Sequence, residues 1–335
     1  MPTRRSPRVV FQPHPVIRNI IGKIPEEIRA KFYGCGAPLP LGIEGKRVLD
    51  LGSGSGRDCY VCSALVGPDG SVVGVDMTDE QLDVARRHVD AWTATLGFAR
   101  PNLSFVKGTI EYLDEAGIAD ASVDLVISNC VVNLSPDKRR VIREAYRVLA
   151  PGGELYFSDV YCDRRLPRAV QEHEVLWGEC IAGALYIEDF RRIAQETGFT
   201  DPRVLSSSPI EVTDPELRAV TGNARFFSIT YRLFKLPGLL EDKCEDYGQF
   251  AVYKGTIKGD EWAYTLDDHH TLEKGKPFLV CGNTAAMLGE GGVSWLAKHF
   301  DVHGDRSTHY GLFDCGDGSV SVSSGAAAAV GGACC

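Results

Sequence analysis

Eleven cysteines stand in this chain of 335 residues, and several occupy positions where a thiol could do chemistry. Cys35 lies between Gly34 and Gly36; a thiol on such permissive backbone is accessible and makes a poor core residue. Cys59 and Cys62 share one face of a helix predicted over 57–66. That spacing offers half of a zinc site, but no second Cys/His pair at zinc-like spacing follows nearby, so Cys62 reads as packing. Cys59 falls in the first turn, where the helix amide dipoles favour a thiolate. Cys334 and Cys335 close a low-complexity tail over 319–335 that reads as disordered. Vicinal thiols there suit a thiophilic species or disulfide exchange. The spacings form no repeating disulfide framework, and about half of the cysteines, Cys130 among them, read as small buried hydrophobes.

The elements that must position these groups begin with a strand over 47–51, a turn carrying Gly52, Gly54 and Gly56, the helix over 57–66, and a second strand over 72–75 that ends at Asp76. The glycines let backbone turn with positive φ and approach a ligand. A carboxylate about 20 residues past such a turn can accept both hydroxyls of a ribose. The nicotinamide fingerprint would need glycine at position 57, which is Arg. With Asp50 inside the first strand, the loop instead resembles the first motif of S-adenosylmethionine (SAM) methyltransferases. Thr78 and Gln81 form a capping box for the next helix, leaving Asp76 and Met77 over the pocket. A third strand over 103–107 runs to Ile110 and Glu111, where an adenine contact is expected, and a fourth over 123–128 opens at Asn129, a candidate ligand contact. Ser135 caps a helix begun by Pro136, and a fifth strand spans 155–160. Five strands alternating with helices predict an α/β fold with a doubly wound, mostly parallel sheet.

Outside this core, a short helix is expected over 24–33, another over 187–197 closed by Gly198, and strands over 203–205 and 228–234. Trp177, Glu179 and Cys180 stand together in the segment between. From about 248 the chain turns strand-like and turn-rich and reads as a small separate module without recognisable chemistry, its His269, His270, His303 and His309 solvated.

Composition narrows the class. Hydrophobic residues make up 44% and charged residues 24%, ordinary for a soluble globular protein. A net charge of −9 argues against a nucleic-acid partner, because phosphate binding needs clustered Lys and Arg. No apolar run approaches the roughly 20 residues of a membrane span, and the basic start leads into no apolar signal region, so neither a membrane nor secretion is expected.

Several stretches together resemble one family: DLGSGSGRDCYV, GVDMTDEQ, SNCVVNL, REAYRVLAPGGELYFSDVY, VLWGECIAGALY and RLFK. They are similar to the arsenite S-adenosylmethionine methyltransferases over 32–235. The resemblance implies a class I, Rossmann-like SAM-dependent methyltransferase fold, SAM as methyl donor, a small-molecule arsenical as substrate, and a cytoplasmic detoxification role. Its domains would be an N-terminal cap over 1–40 with the Cys35 loop, a SAM-binding core over 41–160, an arsenic-binding region over 161–247, a C-terminal module over 248–318 and the tail over 319–335. The resemblance assigns Cys35, Cys59 and Cys180 as catalytic, Cys59 and Cys180 as arsenic(III) ligands with Cys35 a further candidate, and Asp50, Gly52, Gly54, Gly56, Asp76, Met77, Ile110, Glu111 and Asn129 as the SAM site. A fourth family cysteine, in a segment of the form GDCRF, is replaced by Ala224 in Gly222-Asn223-Ala224-Arg225-Phe226. Cys244, some way downstream, would substitute only by a fold-back of the intervening strand.

The chemistry follows from softness. Thiolates bind trivalent arsenic as they bind soft metals. Its lone pair attacks the SAM methyl without a general base, and the protein holds the reactants about 3–3.5 Å apart and excludes water. A cysteine pair forming a disulfide, with Cys35 and Cys59 as candidates, would return the electrons that arsenic loses, and a thiol reductant, glutathione or thioredoxin, would reset it. Two other readings compete: a SAM methyltransferase of a small organic substrate such as a quinone or sterol, with structural cysteines, and a protein that sequesters arsenic through Cys180 and the tail pair.

Overall fold

The computed structural model describes residues 13–32, 34 and 36–315. Cys35 and the 319–335 tail with Cys334 and Cys335 lie outside the described residues.

Apolar residues alternate across the first strands and fill both sides of a sheet. Val48 and Val72 enter one core, whereas Leu49, Leu51 and Val75 enter the other, the two-faced burial expected of parallel strands. The strands are β1 (Arg47–Leu51), β2 (Ser71–Asp76), β3 (Leu103–Lys107), β4 (Val123–Asn129) and β5 (Leu149–Cys162), followed by β6 (Leu185–Tyr186), β7 (Arg203–Ile210) and β8 (Phe226–Phe234). They form one sheet in the order β3-β2-β1-β4-β5-β8-β7, with β6 on β5. The strands β1 to β5 run parallel, and β8 is antiparallel to both β5 and β7. This is the expected doubly wound α/β fold. Its order reverses between β1 and β4, where such sheets bind ligands beyond the carboxyl ends of their strands.

Local expectations needed correction at several ends. The N-terminal segment forms two helices, Pro15–Lys23 and Glu26–Ala30, because Pro25 interrupts the pattern. Thr78 is the N-cap of helix Asp79–Arg87 but makes no side-chain cap bond, so no capping box closes with Gln81. Asp137, not Ser135, caps helix Lys138–Val148 by accepting the Arg140 N–H at 2.9 Å. Ser135 instead bonds Glu111.

Beyond β8, β9 (Glu245–Asp246) pairs with β15 (Gly311–Leu312), β11 (Ala263–Thr265) with β12 (Thr271–Glu273), and β10 (Gln249–Tyr253) lies between β13 (Pro277–Val280) and β14 (Phe300–His303). These strands share one apolar core with the N-terminal helices and one face of the main sheet, from Ile17 through Val48 and Phe234 to Phe300. The contact is also polar: buried Arg232 on β8 pairs with Glu154 on β5 at 2.7 Å and donates to the Tyr264 hydroxyl and the Leu266 carbonyl, while Trp295 donates to Glu154. His270, expected at the surface, is buried against Asp267 at 2.7 Å. Among the described residues no helix is long and apolar enough to cross a membrane.

Candidate cofactor and thiol site

At the β1/β4 switch the chain leaves β1 through Gly52, Gly54 and Gly56, all left-handed at φ 67°, 54° and 90°. A Cβ on Gly52 would stand 2.3 Å from Val131, so only glycine lets the loop pass the end of β4, whereas one on Gly54 would meet nothing within 4 Å. Asp76 at the end of β2 holds this loop, its Oδ2 accepting the Gly54 N–H at 2.8 Å and its Oδ1 the Thr78 N–H at 2.9 Å.

A cavity of about 230 Å3 opens there, lined by Asp50, Gly52, Gly54, Asp76 and Asn129 among the residues expected from sequence. The lining does not include Gly56, Met77, Ile110 or Glu111. Met77 is exposed; Ile110 is buried in the apolar core, and Glu111 is buried with hydrogen bonds from Ser135 and Arg140. Sequence reasoning missed Asp58, whose position one past Arg57 carries no motif signal. It lines the cavity, pairs with Arg57 at 2.6 Å and accepts from Asn129 at 3.0 Å.

The cavity suits a cationic, polar cofactor. Burial and the neighbouring Asp58 push the Asp50 carboxyl well above its usual range, opposed by a hydrogen bond from Cys59. A positive charge in the cavity would relieve that crowding. Ser53 Oγ and Gln81 Oε1, on lining residues, are buried without a hydrogen-bond partner, which a bound ligand can satisfy.

The cysteines divide into separate environments. Cys59 is fully buried, its Sγ 3.1 Å from Asp50 Oδ2, and burial followed by the Asp50 charge pushes its thiol well above the ordinary value. The expected dipole-stabilised thiolate is therefore overridden by desolvation. Cys62 packs beside it in the same core. Cys130, expected as filler, is disulfide-bonded.

Cys180 belongs to another cluster, with Cys130, Cys162 and Phe226, and Ala224 packs against it. Helices Arg168–Gln171 and Glu174–Gly178 deliver it. Its Sγ lies 3.4 Å from the Cys130 carbonyl oxygen, and both residues adopt left-handed backbone at φ 61° and 60°. Such strain in non-glycine residues persists only where the surroundings over-determine it. They do here: the Asn133 amide reaches the Val160 carbonyl at 2.5 Å and the Cys180 carbonyl at 3.4 Å, and Gly183 passes so near Asn133 that a Cβ would lie 2.0 Å from its carbonyl oxygen. Burial, then the Asp159 charge, push the Cys180 thiol up to about 12. Gly34 and Gly36 close over the same edge. Gly36 exchanges hydrogen bonds with the Asn129 amide at 3.1 and 2.9 Å, and a Cβ there would lie 2.3 Å from Ser158 Oγ. Cys244 groups with Cys281 and Cys315 rather than with Cys180, so it does not fill the place of Ala224.

Residues 43–198 match the model of a family described as a methyltransferase domain. Arsenite methyltransferases of Aquipseudomonas alcaligenes and Homo sapiens are 54% and 46% identical to this chain, over 90% and 81% of it and 86% and 72% of their own lengths. A crystal structure of an arsenic(III) S-adenosylmethionine methyltransferase from Chlamydomonas reinhardtii is 61% identical, with a TM-score of 0.87, over 90% of this chain and all of that one. With a SAM-type loop at the switch of a class I methyltransferase sheet and a cysteine beside its far wall, this chain belongs to the arsenite methyltransferase family.

Proposed function

We propose that this chain moves a methyl group from SAM to trivalent arsenic held at Cys180. The observation that carries this reading is the 3.4 Å contact of the Cys180 thiol with the Cys130 carbonyl, because Cys130 is itself part of the cavity lining. A thiol-bound ion there lies across one residue from the cofactor space.

Asp50, Asp58 and Asp76 would face the cationic end and ribose of SAM, with Gly52, Gly54 and Asn129 as the close wall. Met77, Ile110 and Glu111 are proposed to flank the adenine, since the register of Asp76 with Lys107 carries both segments past the same sheet edge. SAM supplies an electrophilic methyl group on a sulfonium. The chain's own work is to hold arsenic with thiols, to keep it oriented toward the cavity and to exclude water.

We assign Cys35 as a second arsenic ligand, supported by the packing of Gly34 and Gly36 against Asn129 and Ser158. The redox role fits Cys130 better than Cys59. The former is already in a disulfide, whereas the latter is sealed beneath Asp50. In this scheme the Cys130 thiol attacks the arsenic-bound Cys35 sulfur: the S–S bond forms as the As–S bond breaks, that bond's electron pair returns to arsenic, and the Cys130 proton leaves to solvent. Glutathione or thioredoxin then returns both cysteines to thiols.

Ala224 lies against the Cys180 cluster with no thiol to offer. Two thiols suffice for methylarsenite, which keeps two exchangeable positions, and arsenite is the poorer substrate. The test supplies each arsenical with SAM and a thiol reductant and identifies methylated products by chromatography with elemental detection. Methylarsenite is expected to turn over faster, and Ala224→Cys to raise turnover of arsenite. Absence of methylated arsenic from both substrates overturns the reading.

A further inference from the structure

Cys244, Cys281 and Cys315 meet outside the cavity, with their sulfur atoms all within 4.8 Å of one another. All are free thiols, Cys281 buried and the other two half-buried, so the group is both preorganised and reachable. Different elements fix each member. Cys281 is the N-cap of helix Gly282–Leu288, its Sγ accepting the Thr284 N–H at 3.4 Å. Cys244 and Cys315 flank the β9/β15 pair, where the Phe313 N–H donates to the Cys244 carbonyl at 2.8 Å.

A buried cation completes the surroundings. Arg203 Nη2 lies 3.9 Å from Cys281 Sγ and 3.2 Å from Thr284 Oγ1, and the guanidinium pairs with Asp201 at 2.7 Å and Asp267 at 3.0 Å. Hydrogen bonds from Cys244 and Cys315, with the Arg203 charge adding, hold the Cys281 thiol well below its ordinary value. The hydrogen bond to Cys281 pushes Cys244 up to about 12. Three sulfurs this close, beside a buried guanidinium, are a nucleus for capturing a thiophilic ion.

We infer that Cys244, Cys281 and Cys315 form a second binding site for trivalent arsenic, separate from the methyl-transfer cavity, in which three sulfurs hold one ion. Charge selects the ion. Arg203 is already opposed by Asp201 and Asp267, so three thiolates on a divalent ion would add an uncompensated negative charge to a buried setting, whereas on a trivalent ion they add none. Coordination number agrees, since structural zinc takes four protein ligands and the group offers three. The reaction balances without electron transfer. Arsenite enters as arsenous acid, three As–O bonds break, three As–S bonds form, and the thiol protons leave with the hydroxides as three waters. The choice of arsenic as the natural ion rests on the proposed function, but binding requires neither SAM nor turnover.

The test titrates the reduced full chain with arsenite, removes unbound ion, and counts arsenic per chain by elemental analysis, with X-ray absorption reporting sulfur coordination. Cys281→Ser replaces the N-cap sulfur by an oxygen that can accept the same Thr284 N–H, and Cys315→Ala alters a half-buried residue in case the first variant fails to fold. Each is expected to lose about one arsenic per chain and one three-sulfur environment, while methyl transfer stays at the wild-type level. Wild-type stoichiometry in both variants overturns the inference, as does a zinc ion held at this site against excess arsenite. Loss of transfer in Cys180→Ser, read separately, bears on the proposed function alone.

Discussion

Asp159 sits beside the Cys180 segment with its carboxyl pushed up to about 7 by burial, against hydrogen bonds from the Val160 and Asn133 amides that favour the charged form. The unfolded chain releases this proton near 3.8. Between those values the folded state binds a proton that the unfolded state does not. The stabilisation is therefore full below about pH 4 and is lost as pH rises through 7. Asp159→Asn removes the titration but keeps an acceptor for only one of the two amides, which bond different carboxylate oxygens, at a cost that does not change with pH. Its urea midpoint, compared with wild type, is expected to improve between pH 5 and pH 8 by the equivalent of about 1–3 kcal/mol. An unchanged difference between the two proteins across that range would show that Asp159 ionises normally.

Residue types alone revealed part of this site. Gly52, Gly54 and Asp76 were legible because a close backbone approach and a strand-end carboxylate each demand a specific residue at a specific spacing. Cys59 was misleading, since its place in the first helical turn says nothing of the Asp50 carboxyl and the Phe105 layer that bury it. Cys130 and Asp58 depend on contacts between distant segments, which spacing does not encode.

Among the elements, β5 and β8 do the most to join the two halves of the chain. Arg232 and Glu154 pair diagonally across these antiparallel strands, two positions out of register, and both meet the C-terminal segment through Tyr264, Leu266 and Trp295. Removing one partner leaves the other charge buried without compensation, so Arg232→Met is expected to destabilise the protein by about 3–5 kcal/mol. The double replacement Arg232→Met with Glu154→Leu should recover most of that loss. Thermal and urea unfolding of the set would check it; a double variant as unstable as the single one would mean that the network, rather than the stranded charge, sets the cost. The sheet itself was legible from alternating strands and helices. The reach of residues 248–315 onto it was not, because β10 to β14 carry short, weakly patterned strands whose apolar faces make sense only against Phe234 and Ile17.

At the scale of the whole molecule, two cores sandwich the sheet, and a smaller apolar cluster that includes Cys130, Cys162 and Cys180 forms a third at the carboxyl end of β4 and β5. That arrangement brings the cofactor cavity and Cys180 to the same sheet edge while leaving Cys244, Cys281 and Cys315 elsewhere. The family resemblance pointed to Cys180, and in the fold Asn133 and Gly183 lock its segment against the strand end that lines the cavity. The most direct measurement compares wild type with Cys180→Ser, reading SAM affinity by calorimetry and methylated arsenic by elemental detection in the same preparations. If Cys180 holds arsenic for transfer, SAM affinity stays at the wild-type level while methylated product falls by on the order of a hundredfold or more. Undiminished methylation of both arsenicals by the serine variant would contradict the central role given to this thiol.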